Sequence, residues 1–189
     1  MATTTPGTYR SEDLSPVELA DAQAAWIPLA REALVRVAGE YQAVISYGEL
    51  SEELQEKSGI ATRQLMRHWL GAVLASVSRD CTERGEPLLS SLCVQKDGSI
   101  GAGYAADVAA ATGAEAPEDI ELSAAEARLA CYRHFGAVMP ADGGSPSFTP
   151  TVAKRRMTAK RRAREDRVRP KCPSCGIETP ASGICDYCA

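Results

Sequence analysis

Apolar positions along the chain follow two periods. From Val17 to Val37 they recur every three or four places (Val17, Leu19, Ala22, Trp26, Leu29, Ala33, Leu34, Val37), the spacing of one helical face. Ser15-Pro16-Val17-Glu18 ahead of them has the form of a helix start, with Ser15 as cap, Pro16 in the first turn and Glu18 closing a capping box. Pro28 interrupts the run, so the pattern predicts two helices or one bent one. Tyr41 to Ile45 is a short apolar run that suits a strand. Ser46-Tyr47-Gly48-Glu49 is a second capping box, opening a helix to about Lys57 that Gly59 ends with a left-handed cap. A third helix is expected from Ala61 or Thr62 to about Arg84. Its buried stripe is Leu65, Trp69, Val73 and Val77, with Met66, Leu70 and Leu74 alongside, and Gly85 and Pro87 stop it.

Beyond Pro87 the period shortens. Leu88 to Gln95 reads as a strand, Asp97-Gly98 as a hairpin turn, and Ser99 to Tyr104 as the return strand. Helix, short strand, helix, turn, helix, hairpin is the order of a winged helix-turn-helix. Ala105 to Pro117 is a connector or weak helix, and Ser123-Ala124-Ala125-Glu126 starts a further helix through Leu129, Tyr132 and Phe135. Pro140 to Pro150 has the Gly, Ser and Pro content of a flexible linker. The expected fold is mainly α with a small β-hairpin, a winged helix-turn-helix domain plus a C-terminal zinc ribbon. The expected division is a flexible leader at 1–14, a winged-helix domain at 15–139, a linker and polybasic arm at 140–170, and the ribbon at 171–189.

On the third helix, Arg63 and Arg67 are four apart, as are Gln64 and His68, so each pair shares a face. With Thr62 they form a polar face opposite the apolar stripe, where a winged helix meets base edges and phosphates. Arg can bond guanine through two N–H groups, and Gln can bond adenine. No acid occurs from Ile60 to Ser78, whereas the preceding helix carries Glu49, Glu52, Glu53 and Glu56. Lys96, at the expected wing tip and offset by Asp97, is a candidate phosphate contact, the alternative being a plain hairpin turn.

Ile45-Ser-Tyr-Gly-Glu-Leu-Ser51, Thr62-Arg-Gln-Leu65, Leu70-Gly-Ala-Val73 and the Gly-rich stretch from Pro87 to Tyr104 are similar to the DNA-binding winged-helix domain of O6-alkylguanine-DNA alkyltransferases and alkyltransferase-like proteins. The resemblance covers about 60 residues and implies a winged-helix scaffold that meets DNA. It does not extend to the chemistry. The alkyl acceptor of that family lies in a Pro-Cys-His-Arg motif, and here the matching stretch reads Leu-Leu-Ser-Ser-Leu-Cys-Val, without His or Arg. Cys93 has no neighbour that would activate its thiolate, so alkyl transfer is not expected. No clustered acids or histidines suggest a nuclease, and the chain is read as non-enzymatic.

Charge changes the picture more than composition does. Ten of the 21 Lys and Arg residues lie between Thr151 and Lys171, against two acids, giving that stretch +8. The 150 residues before it hold 11 basic and 21 acidic residues and carry −10. The candidate arm contacts are Lys154, Arg155, Arg156, Lys160, Arg161, Arg162, Arg164, Arg167 and Arg169. Positive residues point all round any helix the arm forms, so it is expected to be disordered, or helical when bound. A polyanion is its natural partner, DNA more than RNA, through salt-dependent contacts. It lacks the apolar face that membrane binding needs. The protein's own acidic body is a rival target.

The last 18 residues hold two C-x-x-C pairs, Cys172 with Cys175 and Cys185 with Cys188. Each pair can aim two thiolates at one tetrahedral ion, so a single structural Zn2+ is expected. Cys81, Cys93 and Cys131 are read as buried thiols. The Thr-rich start from Met1 to Arg10 lacks the apolar run of a secretory signal, which suggests a reducing, cytoplasmic setting. Two histidines exclude a His-rich catalytic metal site.

The expected function is a nucleic-acid-binding regulator. The alternative is an adaptor whose acidic winged helix and zinc ribbon dock protein partners while the arm holds RNA or DNA non-specifically. A homodimer is allowed for, with the Leu129–Phe135 helix as its spare surface.

Overall fold

The computed structural model describes residues 7–113, 115–165, 171–179, 184–185 and 187–188. The chain forms two compact units, Met1–Val152 and Ala153–Ala189. Among the described residues, helices dominate and two small two-stranded sheets lie in the first unit.

The first unit is built on three helices that meet through two tryptophans. Helix α1 (Leu19–Ala38) buries Ala22, Trp26, Ala30, Ala33, Leu34 and Val37. Helix α2 (Tyr47–Ser58) buries Leu50 and Leu54, and α3 (Met66–Arg84) buries Trp69, Leu70, Val73, Leu74, Val77 and Cys81. The Trp26 and Trp69 rings lie 4.3 Å apart, both almost fully enclosed. Trp26 Nε1 donates to Ser58 Oγ at 3.0 Å, which satisfies the one polar atom that burial would strand. Pro28 is accommodated inside a continuous α1. An interior proline costs about 3 kcal/mol, and here it sits on the exposed side of a helix whose other face is packed.

Several boundaries differ from expectation, each for a local reason. Residues 8–10, expected in a loose leader, form β1 (Thr8–Arg10). This strand pairs antiparallel with β3 (Ile60–Thr62), Thr8 opposite Thr62 and Arg10 opposite Ile60. β1 also takes the backbone of Ser15 and Val17, as Arg10 N–H donates to Ser15 O and Val17 N–H to Thr8 O. The Ser15 N–H donates to Asp13 Oδ1, and α1 starts at Leu19 after Glu18, which makes no side-chain cap bond. β3 similarly displaces the start of α3 to Met66, which leaves Leu65 57% exposed instead of in the buried stripe. The α2 start does follow the sequence: Ser46 Oγ accepts from Glu49 N–H while Glu49 caps the Ser46 N–H, and Gly59 closes the helix at φ 65°.

The stretch read as one long strand from Leu88 is a 3-10 turn, Leu89–Leu92, followed by β4 (Cys93–Val94). All six of these residues are buried, so there is no solvent face for a strand to alternate against. β4 pairs parallel with β2 (Ile45–Ser46). The hairpin is a tight turn, Gln95 N–H to Ser99 O, closed by a single bridge between Val94 and Ile100, with Gly98 at φ 77°. The chain then enters α4 (Tyr104–Thr112). Helix α5 (Ile120–His134) is capped by Asp119, not Ser123. It buries Arg128, Leu129, Cys131 and Tyr132, so one face of it belongs to the core.

The expected linker at 140–149 is fastened along its length. Arg133 donates to Gly143 O and Gly144 O, Arg128 to Ser147 O, and Thr149 Oγ1 to Gly98 O at 2.8 Å. In sequence the glycines suggested slack; in the fold they permit close passage. A Cβ on Gly144 would meet the Tyr41 hydroxyl at 2.7 Å.

The polybasic arm forms α6 (Pro150–Glu165), whose Val152 is buried in the first unit. Pro150 suits the first position, and Ala, Lys, Arg and Met are good helix formers. In the second unit, Cys172 N–H donates to Ile177 O and Gly176 N–H to Cys172 O, with a bridge between Lys171 and Glu178. Gly176, at φ 73°, lets the chain turn back there. No helix among the described residues is long and apolar enough to cross a membrane.

Candidate functional site

The two C-x-x-C pairs converge. The sulfur atoms of Cys172, Cys175, Cys185 and Cys188 all lie within 4.8 Å of one another, and the Cys175 and Cys185 sulfurs are 3.5 Å apart. Four thiolates around one zinc at about 2.3 Å would stand about 3.8 Å apart, so closing on an ion needs shifts of about an ångström or less. Backbone N–H groups of Cys175 and Ser174 point at the Cys172 sulfur and hold its thiol down at about 6. Cys175 is favoured by the Ile177 N–H, yet the thiols of Cys188, Cys185 and Cys172 crowd it and leave it at about 11. The cluster is able to hold a metal ion, and an all-sulfur set suits zinc or an iron–sulfur centre.

The body presents a groove of about 490 Å³ between the start of α3 and the 95–103 segment. It is lined by Tyr47, Met66, Arg67, Gly71, Gln95, Lys96 and Gly101 among others, none of them acidic. Arg67 and Lys96, proposed separately from sequence, thus share one wall-to-wall site. Arg67 Nε donates to His68 Nε2 at 3.3 Å. Gly101 is needed here, because a Cβ would collide with the Tyr47 hydroxyl.

The other expected contacts are arranged differently. Thr62, Arg63 and Gln64 precede α3 and do not share a helical face with Arg67 and His68. Thr62 is committed internally: its hydroxyl donates to Gly7 O, it lies 3.0 Å from the Thr8 hydroxyl, and its N–H donates to Gln55. Arg63 is exposed and lies over the Tyr9 ring, while Gln64 is exposed. On α6, the side chains of Lys154, Arg155, Arg156, Lys160, Arg161, Arg162 and Arg164 are all exposed. Arg167 and Arg169 lie outside the described residues.

The acids of α2 are partly neutralised. Glu53 bonds Arg36 at 2.6 Å and Lys57 at 3.0 Å. Burial raises its carboxyl, but those two cations outweigh it and hold it below the ordinary range. Glu49 is occupied in its cap, and its carboxyl is held low by Ser46.

A smaller cavity of about 220 Å³ adjoins the groove, sharing Tyr47, Gly71 and Gly103. Its wall includes Ser90 and Asp107. Ser78 Oγ lies 2.7 Å from Ser90 Oγ and 2.8 Å from Asp107 Oδ2. Burial raises the Asp107 carboxyl, and the Ser78 and Ser90 hydroxyls partly offset it. None of these residues was marked from sequence. The one signal was Ser78, a hydroxyl placed within the apolar stripe between Val77 and Cys81.

Cys93 is fully enclosed, and burial, helped by the Glu49 charge, pushes its thiol far above the ordinary range. Cys131 is likewise pushed up to about 12 by burial, and Cys81 is raised. A thiol that stays protonated is not a nucleophile. All seven cysteines are free of disulfides.

Comparison with known protein families, curated proteins and solved structures gives no match.

Proposed function

We propose that this chain is a non-enzymatic nucleic-acid-binding protein, with DNA its fitter partner. In this reading the body acts as a winged-helix scaffold and meets the polymer at the Arg67–Lys96 groove. The α6 arm supplies most of the affinity, and the four cysteines hold one structural zinc. The observation that carries the reading is the groove: two cations distant in sequence line it without an acid, on a body of net charge −10. Asp97, next to Lys96, is not among the residues that line it. The likeness of the Ile45–Ser51 and Pro87–Tyr104 stretches to DNA alkyltransferases supports DNA over RNA. Zinc, when bound, supplies a cross-link that ties the two knuckles together, a role four thiolates and no open position suit.

The test is binding of the full chain to duplex DNA and duplex RNA across a salt titration. Changing Lys160, Arg161, Arg162 and Arg164 to Gln should flatten the slope of log affinity against log salt by up to about 3.6, since each neutralised phosphate contributes about 0.9. Arg67→Ala with Lys96→Ala should weaken DNA binding about tenfold. Failure of the full chain to bind either polymer at low salt removes the proposal.

One observation favours the adaptor reading. Ile177, Ile184 and Tyr187, beside the cysteines, are 43%, 62% and 80% exposed. Apolar side chains displayed on so small a module suit a protein contact. On that reading Arg67 and Lys96 are dispensable for nucleic-acid binding.

A further inference from the structure

β1 is a strand of three residues with no hydrophobic pattern of its own, yet it is built into the fold by register. Its pairing sets Tyr9 opposite Ala61, two places before Arg63. Arg63 is fixed at its backbone, where its N–H donates to Gly7 O at 2.8 Å. Its guanidinium carbon stands 5.7 Å from the centre of the Tyr9 ring. Arg63 is exposed and Tyr9 half-buried. An exposed cation–ring pair does little for a fold. It does restrict a side chain that otherwise samples many rotamers.

The chemistry of that restriction suits a phosphate. Stacking uses the flat face of a guanidinium and leaves its edge N–H groups for a second partner, and those edges match two oxygens of a phosphodiester. Arg67 and His68 are exposed on the first turn of α3, which follows directly, and no acid lies from Ile60 to Ser78.

We infer that Tyr9 is a positioning residue for Arg63, and that the β1–β3 ribbon extends the nucleic-acid surface by one pre-oriented phosphate contact. The inference rests on the nucleic-acid reading above. It adds an N-terminal segment and an aromatic residue to a surface otherwise drawn from α3 and the 95–103 turn.

The test measures binding of a short fluorescent DNA duplex by the full chain at several salt concentrations, for wild type, Arg63→Ala, Tyr9→Leu, Tyr9→Phe and the Tyr9→Leu/Arg63→Ala double variant. Arg63→Ala should flatten the salt slope by about 0.9, one phosphate's worth. Tyr9→Leu should weaken binding about two- to fivefold, the worth of an exposed cation–ring contact. Tyr9→Phe keeps the ring and should bind as wild type does. In the double variant, loss of the ring should cost nothing beyond loss of the arginine. Equal affinities for wild type and Tyr9→Leu, strictly additive losses, or a weakened Tyr9→Phe each overturn the inference while leaving the nucleic-acid reading in place. A wild-type chain that binds no duplex overturns both.

Discussion

Cys81, Cys93 and Cys131 of the first unit are enclosed by apolar side chains, whereas Cys172, Cys175, Cys185 and Cys188 of the second converge near the surface. In the first setting, burial raises the thiol and makes it a small hydrophobe among others. In the second, N–H groups turned on Cys172 lower it and favour the charge that burial suppresses elsewhere. The two settings show what each unit uses to stay folded. The body has the Trp26–Trp69 core, and the Arg128 guanidinium buried in it is met by the carbonyls of Ser91 and Ser147. Among its described residues the tail buries little, Cys172 and the polar Thr179, and its four cysteines form a cluster able to hold a metal ion.

Metal removal is the largest way to break this contrast. Structural zinc contributes on the order of 10–16 kcal/mol to modules of this kind. Purified protein should carry one zinc per chain by atomic absorption. Cys175→Ser, or treatment with a strong chelator, should abolish that content and the order of residues 171–179 as seen by NMR. The melting temperature of the body should not move. A body that melts earlier without metal would mean that the units are not energetically separate.

Trp69→Ala is the reverse experiment. It removes one partner of the tryptophan pair from the centre of the body, and substitutions of this size cost about 3–5 kcal/mol. Chemical denaturation should show a loss in that range, with zinc content unchanged. A smaller loss would mean that the neighbouring helices close over the gap.

What could be read from sequence divides along the same line. Features written in a few adjacent residues were legible: the Ser46–Glu49 capping box, the Gly59 and Gly85 ends, the Trp69–Val73–Val77 stripe and the paired cysteines. Features set by partners distant in the chain were not. β1 has three unpatterned residues, and only its register with β3 makes it a strand; that pairing in turn takes the residues expected to begin α3. The 140–149 segment has the composition of a linker, and Tyr41, Gly98, Arg128 and Arg133, all outside it in sequence, hold it down. For the same reason Arg67 and Lys96 were named as candidates while their shared groove, and the Tyr47 and Gln95 that complete it, were not.

The third prediction is the smallest and tests whether the body gains from an acid in its interior. Asp107 is a partly buried carboxylate beside Ser78 and Ser90. Its folded value is raised, so the fold favours its protonated form. The stability that goes with it is complete below the ordinary aspartate value of 3.8 and is lost as pH rises through the raised value. Asp107→Asn resembles the protonated form and can still accept the Ser78 hydrogen bond. At neutral pH it should melt slightly higher than wild type, and the advantage should vanish as pH falls toward 3.8. A variant that is less stable at neutral pH would show that the serine hydroxyls outweigh desolvation. The body would then hold a favourable buried charge, and the contrast with the cysteine tail would be one of degree.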